Sequence, residues 1–414
     1  MTAAELPASD RLRPLPVPAG PAVLGILSHL RQALKGGTAL LPYAAGDASP
    51  ALPVEIDPDH PGPDPDTALL MSTSGSTGAP KLAMLPAAAL LASAEATHTA
   101  LGGPGRWLLS MPGHHVAGMQ VLIRSLVAGT TPSVMDLRGG FNAAAFVAAT
   151  ADLSAGHGRR YTAIVPTQLT RLLADPAGAR ALAAYDAVLV GGAGTPVALR
   201  QRAAEAGIDL VPTYGMTETS GGCVYAGRPL PGAQFSVGDP GTGTAGPERS
   251  AESRRIYLGG ATLATGYLGR PDLTAACFST GPDGTRWFRT DDAGHAVDGE
   301  LQVDGRLDDL INTGGVKVAP RVIEDAVLRH LPEVAETVVV GIPDPQWGHV
   351  VAAAITLRDT GIDPPGLDLI RDRLSKHLPR YALPRRLLVL DHFPSRGPGK
   401  PDRAAIRERL IVEE

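Results

Sequence analysis

The sequence predicts an α/β protein built on mainly parallel sheets. Three observations carry that class. Apolar strands alternate with turns and helical stretches at Tyr161–Leu173, Asp186–Pro196 and Ile208–Glu218. The short run Ala68–Met71 is apolar and bounded by turn residues, which is the pattern of a buried strand. No apolar run approaches the ~20 residues of a spanning helix, so no membrane span is expected. The 44% hydrophobic content then serves a core.

Composition narrows the function classes. The 414 residues suffice for two or three domains. A net charge of −5 makes no case for nucleic acid as a partner, so any phosphate binding must be local to a loop. The polar, acidic start MTAAELPASD shows no signal peptide. Cys223 and Cys277 are too few for a disulfide framework, and both read as reduced thiols of a cytoplasmic protein.

Ala22–Leu34 has the apolar spacing of a helix, and residues 44–66, rich in Pro, Asp and Gly, read as irregular. The strand Ala68–Met71 then runs into a loop of Ser, Thr and Gly that closes on Pro80-Lys81. Gly75 and Gly78 let the backbone curl so that N–H groups converge. Thr73, Ser74, Ser76 and Thr77 add hydroxyl donors, and Lys81 adds a fixed positive charge. This is a cradle for a polyphosphate. It is not a Walker loop, because Pro80 and Leu82 flank the lysine and Leu82 offers Mg²⁺ no hydroxyl. A flexible linker needs neither the strand before it nor the Pro-Lys stop after it.

Ser74 to Lys81 fits without a gap the signature loop of the adenylate-forming superfamily, which the chain therefore resembles. That superfamily includes acyl-CoA synthetases, luciferases and peptide-synthetase adenylation domains. The resemblance runs from about residue 67 to the end. It implies a large domain (1–305) of parallel sheets with flanking helices and a small barrel-like β subdomain. It also implies a small, mobile α+β domain (306–414). The region before the loop is shorter than in most members.

Pro86–Leu101 is expected to be a helix with Pro in its first turn, and His98 on it to be a surface or capping residue. Trp107–Met111 is a strand broken by Pro112-Gly113, followed by an apolar helix. Pro112-Gly113-His114-His115 matches a family string that feeds the acyl pocket. This implies an acyl-site role for His115, against the plainer reading that the two histidines cap the helix. Metal ligation by the pair is discounted, since sequence neighbours point apart and no Cys, Asp or Glu is close by. Arg124, inside the apolar helix, has two readings, snorkelling to the surface or facing an anionic substrate, and the first is favoured.

Ligands of parallel sheets sit at the carboxyl ends of strands, where the turns Gly191–Gly194 and Tyr214–Glu218 fall. Tyr214 offers a flat face to a purine, Thr217 a hydroxyl to phosphate, and Glu218 a carboxylate to Mg²⁺. The family's Tyr-Gly-x-Thr-Glu string matches here, with Thr213 and Gly215 beside Tyr214. Gly192 and Ala193 resemble the family's second adenine wall. Ile256–Thr274 resembles the barrel-like subdomain. Arg289-Thr290-Asp291-Asp292 carries Asp where the family has Gly. Asp292 aligns with the ribose ligand, and either carboxylate could do that work.

Residues 305–320 resemble the family hinge. Arg306 is implied to reach ATP, Asp308 to be the pivot, and Gly314-Gly315 to approach the acyl tunnel when the small domain turns. Lys400 fits the terminal Gly-Lys loop. The implied reaction has two steps. A carboxylate attacks the α-phosphate of MgATP with Lys400 neutralising charge, and a thiol then takes the acyl group. No carrier domain follows residue 414, which favours CoA as the thiol. Leu109–Gln120, Tyr161–Leu169 and Thr213–Tyr225 are most similar to the short actinobacterial branch of 2-succinylbenzoate–CoA ligases of menaquinone biosynthesis. For the second carboxylate of such an acid, His115, Gln168, Ser220, Gly221 and Gly222 are the candidate donors. The implied partners are thus a small carboxylic acid, ATP, CoA and Mg²⁺, and a homo-oligomer is compatible with the chain. The alternatives are another aryl- or fatty-acyl-CoA ligase, or a catalytically silent ATP-binding regulatory protein. The latter reading sits poorly with the presence of both Lys400 and Glu218.

Overall fold

The computed structural model describes residues 11–50, 62–73, 81–242, 250–359, 361–394 and 401–412. Four sheets organise them. In the first, Leu12–Val17, Ala39–Ala44 and Thr67–Thr73 run parallel. Lys81–Pro86 and Gly266–Tyr267 complete it in antiparallel fashion. The second has seven strands, of which Gly105–Leu109, Ser133–Val134, Arg159–Ile164, Ala187–Val190 and Leu210–Met216 are parallel. Gly221–Tyr225 and Arg228–Pro229 add an antiparallel edge. The third sheet is antiparallel and holds Ala233–Val237, Ser250–Gly260, Phe278–Thr280, Arg286–Val297 and Glu300–Arg306. The fourth begins at Ile311 and centres on the long hairpin Val334–Asp344 with Gly348–Leu357. Asp308 lies between the last strand of the third sheet and the first of the fourth. Among the described residues no helix is long and apolar enough to cross a membrane.

The largest core lies between the first two sheets. The helices Ala87–Ala100 and Val116–Val127 fill it, packed on each other. Both are buried on most faces, so neither needs a polar stripe. The small residues of Ala87–Ala100 allow the close approach. The strand Thr67–Thr73 is buried from Thr67 through Met71, which ties the mouth of the Ser/Gly loop to the best-packed part of the molecule.

Three expectations change. Ala22–Leu34 is not one regular helix: Gly20–Ile26 is a 3₁₀ turn and only Leu27–Ala33 is α-helical. Gly25 falls inside the stretch, and glycine is a poor residue for an α-helix interior. His98 is not at the surface; it is buried and stands 6.4 Å from the Trp107 ring centroid. Burial, assisted by Arg124, pulls its pKa down to about 4. Arg124 does not snorkel: only 3% of it is exposed. Its helix runs through the core between two sheets, where a long side chain finds no surface to reach. Its guanidinium instead lies 5.1 Å from the Trp107 ring, and Nη2 donates to the Tyr225 hydroxyl at 3.2 Å.

Leu69 is buried at the centre of the strand leading to the loop. Leu69→Ala should destabilise the large domain by about 2–5 kcal/mol. Urea unfolding followed by tryptophan fluorescence measures this, and a loss below about 1 kcal/mol contradicts the packing described.

Candidate functional site at the strand ends

The strands Thr67–Thr73 and Lys81–Pro86 pair with Thr73 opposite Lys81, so both residues stand at the mouth of the loop between them. Ser74, Gly75, Ser76, Thr77 and Gly78 lie outside the described residues, as does Lys400. Lys81 Nζ lies 5.6 Å from the centroid of the Tyr267 ring. The Tyr267 hydroxyl donates to Glu218 Oε1 at 2.8 Å. Tyr267 comes from the last strand of the first sheet, and Glu218 from the turn after Leu210–Met216 in the second. One hydrogen bond thus joins the loop mouth to the Tyr-Gly-Met-Thr-Glu turn.

That turn is sharply built. Thr217–Thr219 is a short 3₁₀ helix whose entry is held by Met216 N–H donating to Thr219 Oγ1 at 2.9 Å. Ser220 follows with φ 53°, a left-handed conformation rare for a residue with a side chain. Its carbonyl accepts from Gln120 Nε2 at 2.8 Å and from Ser93 Oγ at 3.2 Å, so the two core helices fix it. The chain then returns as Gly221–Tyr225, with Gly222 opposite Gly215. A Cβ on Gly215 would stand 2.2 Å from the Gly221 carbonyl, so only glycine allows this crossing.

Tyr214 points to the third sheet. Its hydroxyl donates to Asp292 Oδ2 at 2.7 Å. Asp292 pairs cross-strand with Arg306. Asp291 turns elsewhere: its carboxylate lies 3.3 Å from Arg255 and 3.6 Å from Arg306. Tyr214 thus bonds Asp292, and Asp291 is engaged with two arginines. Arg306 holds Asp308 through both carboxylate oxygens, at 2.8 and 2.9 Å.

Gly191 packs against Thr213, whose hydroxyl a Cβ would meet at 2.3 Å, while Gly192 and Ala193 are exposed beyond it. Thr213 Oγ1 donates to the Val190 carbonyl at 3.3 Å, locking the two strand ends together. The helix Pro320–His330 comes up to the same turn, with the Arg321 guanidinium against Gly194.

The acyl candidates divide. His115 occupies the N-cap of Val116–Val127 with extended backbone but no side-chain capping bond, and its ring lies 4.3 Å from that of His114. Gln168 is built into the fold. Its Oε1 accepts from Val165 N–H at 3.0 Å, and its Nε2 donates to the Ser110 carbonyl at 3.0 Å. Gln168 thus ties the start of its helix to the strand end at Ser110, while Gln120 reaches the Ser220 carbonyl. Behind Ser220-Gly221-Gly222, Gln120 Oε1, Ser220 Oγ and Arg124 Nε are buried and have no hydrogen-bond partner among the described residues. No Asp or Glu pairs with Arg124 among the described residues. In the fourth sheet, Gly314 and Gly315 form the hairpin turn between Ile311–Thr313 and Val316–Val318. Gly314 sits under Trp347, whose ring a Cβ would strike at 2.6 Å.

The electrostatics follow from burial. Desolvation raises the Glu218 carboxyl above its ordinary pKa, against the Tyr267 hydrogen bond and the Lys81 charge, which lower it. Burial likewise raises Asp292, opposed by Tyr214 and Arg306. Both groups therefore hold their protons to higher pH in the fold than in the unfolded chain. Their contribution to stability is complete below the ordinary carboxyl range and is lost as pH rises through the raised values. Glu218 is a buried carboxylate short of positive charge. It suits Mg²⁺, which takes one or two protein carboxylates and fills its octahedron with phosphate and water oxygens. The described residues hold no group of three or more His, Cys, Asp or Glu that forms a protein-only cage.

These features match a known family. The family model for AMP-binding enzymes matches residues 25–268, and that for the AMP-binding enzyme C-terminal domain matches residues 322–400. The chain belongs to the AMP-binding enzyme family. It is 43% identical, over 97% of its length and 99% of the relative's, to a protein of Mycobacterium tuberculosis named a probable 2-succinylbenzoate–CoA ligase. It is 31% identical to the Escherichia coli 2-succinylbenzoate–CoA ligase over 81% of this chain and 67% of that one. Its fold is similar, at a TM-score of 0.70 and 26% identity, to o-succinylbenzoate CoA synthetase from Bacillus subtilis in complex with its acyl-adenylate intermediate. That match covers 92% of this chain and 81% of the other. This AMP-binding enzyme has the family's mixed α/β sheets, with a large N-terminal part and a smaller C-terminal one.

Sequence reasoning missed Tyr267, Gln120 and Ser93. Tyr267 lies in the stretch Ile256–Thr274, but nothing in that stretch says that its hydroxyl reaches Glu218. Tyr267→Phe removes a bond that stabilises the Glu218 carboxylate, so the carboxyl should bind its proton more tightly. The acid limb of kcat/KM for MgATP should move to higher pH, read from pyrophosphate release across pH. An unmoved limb contradicts the pairing.

Proposed function

We propose that the chain is an AMP-forming acid–thiol ligase that activates 2-succinylbenzoate with ATP and transfers it to CoA, a cytoplasmic step of menaquinone biosynthesis. In the first step a carboxylate oxygen attacks the α-phosphorus, and the bond to the bridging oxygen of pyrophosphate breaks. In the second, the CoA sulfur attacks the adenylate carbonyl, AMP leaves, and the thiol proton is lost. Bound Mg²⁺ would neutralise phosphate charge beside Glu218. Lys81 and the Ser74–Gly78 loop would hold the β- and γ-phosphates. Tyr214, with Gly192 and Ala193, would face the adenine, and Asp292 the ribose. Lys400 would neutralise charge at the reacting oxygens.

The observation that carries the choice of acid is Arg124. A buried guanidinium with no acid beside it is costly, by several kcal/mol. An aryl diacid offers the missing charge: one carboxylate reacts, and the other faces the Ser220-Gly221-Gly222 turn in front of Gln120 and Arg124. The names of the relatives point the same way. A monocarboxylic fatty acid leaves Arg124 uncompensated.

CoA has a natural docking point beside the glycine hairpin. Trp347 is 37% exposed, with the Arg385 guanidinium 5.1 Å from its ring and exposed Tyr381 on the turn that leads to it. An indole face and a guanidinium suit an adenine and its phosphates.

A panel of 2-succinylbenzoate, benzoate, a medium- and a long-chain fatty acid and an amino acid tests the acid, with pyrophosphate release as readout. The expected result is turnover with 2-succinylbenzoate alone; turnover with another acid keeps the chemistry and overturns the substrate. Arg124→Met should raise KM for 2-succinylbenzoate at least tenfold, about 1.4 kcal/mol, with KM for ATP unchanged. A shared rise in both constants points to a collapsed core instead. Trp347→Ala should raise KM for CoA and leave the first half-reaction intact; equal loss in both steps contradicts the CoA assignment.

A further inference from the structure

Asp291 stands where the adenylate-forming pattern has glycine, and the ribose reading does not use it. Its surroundings are specific. Its carboxylate is held from one side by Arg255 Nη1 at 3.3 Å and from the other approaches Arg306 Nη2 at 3.6 Å. Its own carbonyl accepts from Leu307 N–H at 2.8 Å, so backbone and side chain both grip the segment just before Asp308. Arg255 Nη1 also donates to the Thr290 carbonyl, which fixes it along the same strand.

Arg306 is therefore a single guanidinium shared by carboxylates of different standing. Asp291 and Asp292 belong to the strand Arg286–Val297, inside the third sheet. Asp308 lies past the end of the strand Glu300–Arg306 and leads into the fourth sheet. At present Arg306 gives its two-pronged grip to Asp308. Asp309, the next residue, is joined at 3.7 Å to Arg403, close after the segment that carries Lys400. Any turn of the backbone at Asp308 carries its carboxylate away from the Arg306 fork, whose bond geometry is rigid. Asp291 does not move with that turn, and its oxygen is already near the same nitrogen.

We propose that Asp291 is a positioning residue that takes over the Arg306 guanidinium from Asp308 when the small domain turns between the two half-reactions. This rests on the ligase reading above. A glycine at this position leaves Arg306 without a second exposed acceptor, so the resting pair with Asp308 is harder to leave. Asp291 is 61% exposed, and exposed ion pairs carry small energies that salt screens. The effect of removing it is accordingly a few-fold and selective for the step that needs the turn.

The test is a rapid-quench single turnover with saturating ATP, CoA and the acid that supports turnover, resolving adenylate formation from thioester formation. Asp291→Asn should form adenylate within about twofold of wild type and form thioester about three- to fivefold more slowly. Asp291→Glu should restore the thioester rate. Added NaCl should slow thioester formation in the wild type and not in Asp291→Asn. Equal slowing of both half-reactions means a merely structural role and overturns the proposal, as does an unchanged thioester rate in Asp291→Asn. A wild-type protein that makes no adenylate from any acid overturns the ligase reading, which that outcome separates from a failure of Asp291 alone.

Discussion

The hydrogen bond from the Tyr267 hydroxyl to Glu218 is the contact on which the site depends. It spans two sheets that share no strand. One side brings Lys81 and the mouth of the Ser/Gly loop; the other brings the turn that carries Thr217 and Ser220. A second tyrosine–carboxylate bond, Tyr214 to Asp292, ties the third sheet to the same point. Each pairs a neutral donor with a carboxylate that burial has made less willing to ionise. Among the described residues the site is thereby assembled without arginine or lysine in a salt bridge with Glu218.

Behind this polar layer lies a core of unusual content. The helices Ala87–Ala100 and Val116–Val127 carry Ser93, Thr97, His98, Gln120 and Arg124 into the space between two sheets. Ser93 and Gln120 hold the strained Ser220. Thr97 gives its proton to the Ser93 carbonyl, so the Tyr225 hydroxyl is the donor between Tyr225 and Thr97 and accepts from Arg124. His98 stays neutral beside the guanidinium. Buried polar groups are costly unless they are satisfied. The atoms left without a partner among the described residues at Gln120, Ser220 and Arg124 lie behind the Ser220-Gly221-Gly222 turn.

Much of this was legible in the sequence because strand-and-turn signals are local. The run Ala68–Met71, the alternation after Tyr161, and Tyr214–Glu218 each declare a strand, a turn or a chemistry within a few residues. What escaped was non-local. Arg124 read as a snorkelling residue, because a sequence does not say that its helix is covered on both faces. His98 read as exposed for the same reason. Gln168 read as a substrate donor, and its bonds to Val165 and Ser110, which tie helix to strand, are visible only once the strands are side by side. Asp292 aligned with the ribose ligand, but as neighbours either carboxylate was left open to that work. The pleat separates them, sending one to Tyr214 and the other to Arg255.

The central claim is that these strand ends form an adenylating site that works before any thiol arrives. ATP–pyrophosphate exchange in the absence of CoA tests it most directly. The account predicts label entering ATP only when both Mg²⁺ and 2-succinylbenzoate are present, because the adenylate forms reversibly on the enzyme. Exchange that needs CoA, or none with any carboxylic acid, would contradict it.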